Sequence, residues 1–357
     1  MINVTKSYLP DFKTYSKLLE SIWDNHHLTN RGPLVQKLEN DICSKLGTNN
    51  LLFVSNGTIA IQLAIKALDV QGEVITTPFS YVATTTSILW ENCTPVFCDI
   101  DKSTFCIDAS KIESLVTDKT TAILATHVYG IPCDIDAIEA IAKKHNLKVI
   151  YDAAHAFGVT YKNESILNYG DVSTCSFHAT KLFHTVEGGS ITTKDPHIFE
   201  KIKLYHSFGH LGDEYFTQGI NGKNSEFHAA MGLCNLPMLD ELIKNRKVTT
   251  ELYTQLITSP NLFRPKIPKH TGYNYSYYPI VFENEQQLLL VKNILSKNNI
   301  NTRRYFFPSL NNLPYLVHKN HCPVSEDIAL RVLCLPLYYN IDAKDVERIS
   351  QLINTIL

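Results

Sequence analysis

From about residue 50 onward, short apolar runs rich in β-branched residues alternate with stretches of helical periodicity. Strands that are apolar at nearly every position are typical of a parallel sheet that is covered on both faces. Helical stretches such as residues 59–68 and 135–145 would supply that cover. The sequence therefore predicts an α/β fold around a mostly parallel sheet of seven strands. These strands are predicted at Leu51–Val54, Val74–Thr77, Val96–Asp99, Ala122–Thr126, Val149–Asp152, Ser173–Phe177 and Ser190–Thr193.

The sequence pattern changes after about residue 225, where a long helical stretch and a loop-rich passage replace the alternating strands and helices. A helical pattern over residues 225–257 is interrupted at Pro237, which removes a backbone N–H and is expected to kink the helix. Three prolines and a glycine between residues 260 and 272 then indicate a junction between domains. Beyond it come a predicted strand and two predicted helices, at residues 277–282, 286–298 and 343–357. We therefore expect a large domain over residues 1–245 and a smaller α+β domain over residues 246–357, with residues 1–30 packed on the smaller one.

The composition narrows the classes of function. The 357 residues are 44% apolar and 19% charged, with a formal net charge of −2. Because there is no basic excess, neither nucleic acid nor an anionic membrane is an expected partner. The first residues lack the pattern of a signal peptide, and no apolar run approaches the roughly eighteen residues that span a bilayer. Nine scattered cysteines without a CxxC pair predict free thiols in a reducing cytoplasm and no metal site.

Two residues at predicted strand ends carry the most specific chemistry. Asp152 closes one apolar run, and Lys181 follows another and precedes the glycine pair at 188–189. In a parallel sheet both would lie at the same edge, where such folds bind ligands. A buried lysine amine is free to form a Schiff base, and a carboxylate can hold a pyridine nitrogen protonated. The pair therefore predicts pyridoxal 5′-phosphate (PLP); taken singly, a helix-capping aspartate and an ordinary lysine are the alternatives.

The phosphate of this cofactor has a predicted site at a strand-to-helix turn. The run Ser55–Thr58 leads from a strand into a helix, whose first amides, at Gly57 and Thr58, would face an anion. A helix cap without a ligand is the alternative interpretation. Ser176, near the end of another strand, is placed to donate a further hydrogen bond to the phosphate.

The ring of the cofactor has three candidate neighbours. Tyr81 follows a strand and a proline and is placed to lie against a flat ring, and Phe79 competes for that role. His155 follows Asp152 by three residues and is placed near the ring hydroxyl or the substrate, or serves as a structural histidine. The sequence lacks both G-x-G-x-x-G after a strand and G-x-x-x-x-G-K-[ST], which argues against a dinucleotide site and a P-loop.

Together these runs resemble the DegT/DnrJ/EryC1/StrS family of nucleotide-sugar aminotransferases, which have the type I (aspartate aminotransferase) PLP fold. The resemblance covers most of the chain and is carried by Ser55–Thr58, Gly72–Phe79, Pro95–Asp101, Asp152–Ala156, Ser176–Lys181, Glu187–Gly189 and Gly219–Phe227. It implies that Lys181 is the catalytic residue, binding PLP covalently and moving the proton during transfer. It also implies that Asn221 reaches the phosphate from a neighbouring subunit, so that a homodimer shares its active sites. The implied cofactor-binding residues are Gly57, Thr58, Tyr81, Asp152, His155, Ser176, Lys181 and Asn221.

The resemblance also implies the substrates, L-glutamate and a nucleotide-linked keto-sugar. The runs over residues 151–158 and 178–185 are most similar to enzymes that make dTDP-4-amino-4,6-dideoxyglucose, a sugar of O-antigen and lipopolysaccharide biosynthesis. Transfer to carbon 3 is the alternative within the class. The candidate substrate-binding residues are Arg31, His184, Lys223, Arg303 and Tyr305.

Two further functions are possible on the same fold. A PLP-dependent sugar dehydratase is one, but relatives of that kind carry histidine where this chain has Lys181, which argues against it. A catalytically silent regulator is the other, and the presence of both Lys181 and Asp152 argues against it.

Overall fold

The computed structural model describes residues 1–317 and 320–357. Its central sheet has the seven strands that the sequence predicts, each displaced by two residues at most. Numbered β1 to β7 in chain order, they are Leu51–Val54, Glu73–Thr76, Thr94–Phe97, Thr120–Thr126, Lys148–Asp152, Val172–Ser176 and Gly189–Thr192. The strand order is β1-β7-β6-β5-β4-β2-β3. Strands β2 to β6 are parallel, and β7 is antiparallel to both its neighbours, β1 and β6. The prediction of a mostly parallel seven-stranded sheet is therefore confirmed.

The described part of the chain also contains twelve α-helices. Numbered α1 to α12 in chain order, they are Phe12–Asn25, Pro33–Leu46, Gly57–Ala67, Val82–Trp90, Ala109–Ile112, Ile135–His145, Pro196–His206, Glu226–Asn235, Leu239–Leu256, Glu285–Lys297, Pro323–Arg331 and Ala343–Ile356. Several begin at a side-chain cap, such as Asp134, which accepts a hydrogen bond from the backbone N–H of Ala137 at the start of α6. Among the residues that the structure describes, no helix has the length and apolar character needed to cross a bilayer.

The sheet is covered on both faces, as its continuous apolar strands predict. In β1, Leu51 and Phe53 belong to one hydrophobic core, and Leu52 and Val54 belong to a second. The first core includes buried residues of α2 and α6, and the second is formed largely with α3. Because a strand buried on both sides has no solvent face, each of these side chains contributes about 1.5–3 kcal/mol of burial free energy.

The C-terminal part of the chain forms a separate core. Strands β8 (Tyr278–Val281) and β9 (Val332–Leu335) are antiparallel, and α10 and α12 pack on them. We call β8, β9, α10 and α12 the C-terminal unit. Ile2 is buried in the same core and pairs with Ile300.

The interruption predicted at Pro237 is confirmed, because a 3₁₀ turn at Leu236–Met238 separates α8 from α9. The expected boundary between residues 245 and 246 falls inside α9, and the division into domains stays a prediction. Three short two-residue strands, at Thr160–Tyr161, Glu164–Ser165 and Thr271–Gly272, form a small additional sheet.

Candidate active site

A cavity of about 890 Å³ opens at the carboxyl ends of the parallel strands. On one side it is lined by residues that follow β1, β2, β5 and β6. The opposite wall comes from the C-terminal part of the chain and from residues 3–5. Its volume lies within the range of pockets that hold small molecules and cofactors. We call the first side the cofactor end and the second the substrate wall.

Lys181 lies at the cofactor end, after β6. Its Nζ donates a hydrogen bond to the Tyr277 hydroxyl at 3.4 Å. Burial lowers the pKa of Lys181, and the nearby carboxylate of Asp152 opposes that shift. Because the shift raises the fraction of neutral amine at a given pH, the lysine is better suited to act as a nucleophile and base than an exposed one.

Asp152 is the last residue of β5 and is buried. Its Oδ2 accepts a hydrogen bond from the Thr84 hydroxyl at 2.8 Å, and its Oδ1 accepts one from the backbone N–H of Ala154 at 3.0 Å. Burial raises the pKa of Asp152, while these two donors and Lys181 lower it. A buried carboxylate held by neutral donors gains from a cationic partner in the cavity, and a protonated pyridine is such a partner.

The start of α3 forms the floor of the cofactor end. The Asn56 side chain accepts a hydrogen bond from the Ile59 backbone N–H at 2.9 Å and so caps the helix. A Cβ on Gly57 would lie 2.9 Å from the Cβ of Ser176, so only glycine lets the helix approach β6 this closely. Because the first amides of a helix have no acceptor within it, Gly57 and Thr58 offer donors to an anion. Both line the cavity together with Ser176, and the site therefore fits the phosphate of PLP.

A backbone hydrogen bond and aromatic contacts hold the His155 side chain in place. Its Nδ1 accepts a hydrogen bond from the Tyr129 backbone N–H at 3.2 Å, so the ring proton resides on Nε2. The imidazole stacks on Phe306 with 5.4 Å between centroids and an interplanar angle of 11°. Burial, reinforced by Lys181, holds the pKa of His155 well below its ordinary value. The residue is therefore a neutral N–H donor at the cavity.

The other sequence-predicted residues divide into two groups. Tyr81, Arg303 and Tyr305 line the cavity, and Tyr81 is 59% exposed at the start of α4. The remaining four have contacts elsewhere. Arg31 pairs with Glu39, Lys223 lies over the Phe208 ring, the His184 ring bonds to the Tyr8 carbonyl, and the backbone of exposed Asn221 bridges to Ser207.

Three residues that contact the predicted site residues were not found by sequence reasoning. Thr84 holds Asp152, Tyr277 contacts Lys181, and Phe306 stacks on His155. A threonine in the first turn of α4 and an aromatic beside a strand or in a loop are ordinary core features in a sequence. Their roles become visible only when α4, β5 and the segments around residues 277 and 306 are placed beside one another.

Comparisons with known proteins agree with this architecture. A model of the DegT/DnrJ/EryC1/StrS aminotransferase family matches residues 12–354. The chain is 42% identical, over 99% of both proteins, to a dTDP-4-amino-4,6-dideoxy-D-glucose transaminase of Shigella dysenteriae. It is 31% identical to a GDP-perosamine synthase of Escherichia coli O157:H7, over 95% of this chain and 93% of that protein. The crystal structure of DesI in the presence of its TDP-sugar product matches with a TM-score of 0.94 and 30% identity, over 99% of this chain and 92% of that one.

The fold and the cavity together define a transferase of the PLP-dependent type I class. Within that class, the chain belongs to the DegT/DnrJ/EryC1/StrS aminotransferase family, whose enzymes depend on PLP.

Proposed function

We propose that this protein transfers the amino group of L-glutamate to carbon 4 of a dTDP-4-keto-6-deoxy-hexose, giving dTDP-4-amino-4,6-dideoxyglucose. The observation that carries the aminotransferase chemistry is a lysine with a lowered pKa in the same cavity as a buried carboxylate. The choice of sugar is supported by the full-length similarity to the Shigella enzyme, at 42% identity.

Each residue of the cofactor end has a proposed task. Bound PLP would supply an electron sink for the carbon that carries the amine. Asp152 would hold a proton on the pyridine nitrogen, and the start of α3 with Ser176 would hold the phosphate. His155 would donate its Nε2 proton to the ring oxygen, and Tyr81 would cover one face of the ring.

Lys181 would transfer the proton in both halves of the reaction. In the first half glutamate gives up its amine and leaves as the keto acid; in the second half the keto-sugar receives that amine. Each half moves one proton at the reacting carbon, and a positioned amine with a lowered pKa is suited to remove and return it. The Tyr277 hydroxyl, 3.4 Å from Nζ, would hold the amine in the cavity while it is free.

We further propose that the active unit is a cytoplasmic homodimer with shared sites. Asn221 is exposed and has its backbone contact outside the cavity, next to Ser207. An amide at this surface is available to the phosphate site of a second copy, which is the role that the family resemblance implies.

The test is incubation of purified, PLP-loaded protein with L-glutamate and dTDP-4-keto-6-deoxyglucose, followed by NMR of the product. We expect an amine at carbon 4 and no product from Lys181→Ala. The matched comparisons are the 3-keto isomer and the UDP- and GDP-linked 4-keto sugars. A product aminated at carbon 3, or faster turnover of another nucleotide sugar, would contradict the proposed substrate but not the proposed aminotransferase activity.

A further inference from the structure

Residues 2–8 run across the molecule between the C-terminal unit and the segment that carries Lys181. We call them the strap. At its start, the Ile2 backbone N–H donates to the Asn299 carbonyl at 2.8 Å, and the Asn301 N–H donates to the Ile2 carbonyl at 2.7 Å. The Leu337 N–H donates to the Val4 carbonyl at 3.1 Å. The first part of the strap is therefore bonded to the loops that follow α10 and β9 in the C-terminal unit.

The other end of the strap holds the lysine segment on both sides. The Ser7 hydroxyl donates to the Ala179 carbonyl at 2.6 Å, two residues before Lys181. His184, three residues after Lys181, bonds through Nε2 to the Tyr8 carbonyl at 2.6 Å. The lysine thus lies between two anchors that both come from the strap.

The hydrogen bonds of His184 define its role. Its Nδ1 accepts the Val186 backbone N–H at 3.2 Å, so the ring proton is on Nε2 and is donated to Tyr8. The side chain is 1% exposed, and burial lowers the pKa of His184, which keeps it in this neutral form. The sequence prediction placed His184 among the substrate-binding residues; its contacts instead join the strap to the lysine segment.

The middle of the strap is part of the substrate wall. Asn3, Val4 and Thr5 line the cavity, and the Asn301 side-chain amide donates to the Asn3 side-chain oxygen at 2.9 Å. One short segment therefore contacts the C-terminal unit, the cavity and the segment of Lys181. Its hydrogen bonds fix the position of the lysine relative to the wall that a substrate would touch.

We propose that the strap positions Lys181, and that Ser7 and His184 are the positioning residues through which it acts. This proposal rests on the aminotransferase function proposed above and deepens it. Neither residue would touch the substrate. Without these two side chains the lysine would still be present, but its amine could shift relative to the reacting carbon. Small shifts of this kind greatly reduce the reaction rate.

The test compares His184→Leu, which removes the N–H donor, with His184→Gln, whose amide can still donate to Tyr8. His145→Leu is the matched control, because His145 is a histidine on α6 that bonds to Glu113 away from the cavity. Two quantities are measured: the single-turnover rate at which L-glutamate bleaches the visible absorbance of bound PLP, and the pH midpoint of that absorbance in the absence of substrate. Thermal unfolding checks that each variant is folded.

We expect His184→Leu to slow the glutamate step about tenfold to a hundredfold and to move the pH midpoint. His184→Gln should recover most of both effects, and His145→Leu should behave as the wild type. A folded His184→Leu with the wild-type rate and midpoint would overturn the proposal. So would equal defects in the leucine and glutamine variants, because the donated hydrogen bond would then be irrelevant.

If His184→Leu does not fold, Ser7→Ala tests the other anchor at an exposed position. Loss of this one hydrogen bond should slow the glutamate step by a factor of about 2 to 10. Ser114→Ala is its control, because Ser114 makes the same type of bond, to the Lys111 carbonyl at 2.8 Å. A Ser7→Ala rate equal to that of Ser114→Ala would overturn the proposal. If wild-type protein binds PLP but glutamate does not bleach its absorbance, glutamate is not the amino donor. The pH midpoints of the variants would then decide whether the strap positions Lys181.

Discussion

The two sides of the cavity are assembled in different ways. The cofactor end is made of residues that follow β1, β2, β5 and β6, so its geometry follows from the parallel sheet itself. The substrate wall is made of residues 3–5, 277, 301–303, 305 and 306, which come from separate parts of the chain and are brought together only by tertiary contacts. The first side is set by sheet topology, and the second can change its residues without disturbing the sheet. This difference suggests that the chemistry resides at the cofactor end and the choice of substrate on the wall.

The strongest test of that comparison is Lys181→Ala. We expect turnover to fall by a factor of about 10⁴ or more, because the variant loses the amine that moves the proton. Thermal unfolding should show that the fold is retained. Lys148→Ala is the control, since Lys148 is an exposed lysine at the start of β5. Wild-type turnover in Lys181→Ala would place the reaction outside this cavity.

Asp152→Asn should have the next largest effect, again at the cofactor end. A neutral amide keeps the shape and one of the two acceptor oxygens, but it removes the charge that would hold a proton on the pyridine nitrogen. We expect kcat to fall roughly a hundredfold or more while the protein still binds PLP. The measurement is steady-state kinetics beside a PLP titration. Unchanged kcat would mean that Asp152 serves only as a structural residue at the end of β5.

The same contrast explains what the sequence can reveal. Asp152 and Lys181 follow continuous apolar runs, and strand ends in a parallel sheet share one edge, so their meeting follows from local patterns alone. His184 shows the limit: its neighbourhood in sequence is that of the catalytic lysine, yet its side chain turns away to Tyr8. Tyr277 and residues 3–5 are joined to the site by contacts between distant parts of the chain, which no local periodicity records.

On the substrate wall, Arg303→Gln should affect substrates and leave the cofactor alone. The Arg303 guanidinium lies over the Tyr305 ring, 5.4 Å from its centroid, and both residues line the cavity. Both proposed substrates are anionic, so we expect kcat/KM to fall about tenfold to a hundredfold, the equivalent of one charged hydrogen bond. PLP affinity should be unchanged. Arg348→Gln, which alters an arginine bonded to the Asn298 carbonyl, is the control. Weakened PLP binding in Arg303→Gln would mean that the two sides are not separable.

Asn221→Ala tests whether a second subunit completes the cofactor end. We expect PLP to bind about tenfold more weakly, the loss of one hydrogen bond to a charged group. A further test uses mixed dimers that contain one Asn221→Ala subunit and one Lys181→Ala subunit. If Asn221 acts across the interface, one site of each mixed dimer regains both residues and binds PLP as the wild type does. If it acts within its own subunit, mixing restores no site.

The smallest expected effect concerns acid stability at His127, a buried histidine beside Asp152 that does not line the cavity. His127 follows β4, its backbone N–H bonds to the Asp152 carbonyl at 3.0 Å, and burial lowers the pKa of His127 to about 3. An unfolded histidine has a pKa of about 6.5, so its stabilising contribution is complete above that pH. As the pH falls below about 6.5 toward 3, the unfolded state takes up a proton that the folded state does not, and that contribution is lost.

This residue alone should reduce the free energy of unfolding by about 1.4 kcal/mol per pH unit below 6.5. The measurement is urea unfolding of the ligand-free protein at pH 7.5 and 5.5. His127→Asn keeps an acceptor for the Cys133 backbone N–H, which Nδ1 now accepts at 3.0 Å, and should lose part of the pH dependence. His197→Asn, at an exposed position, should retain it. Equal pH dependence in both variants would show that His127 takes up its proton without unfolding, and that the core around His127 is less tightly closed to water than its packing indicates.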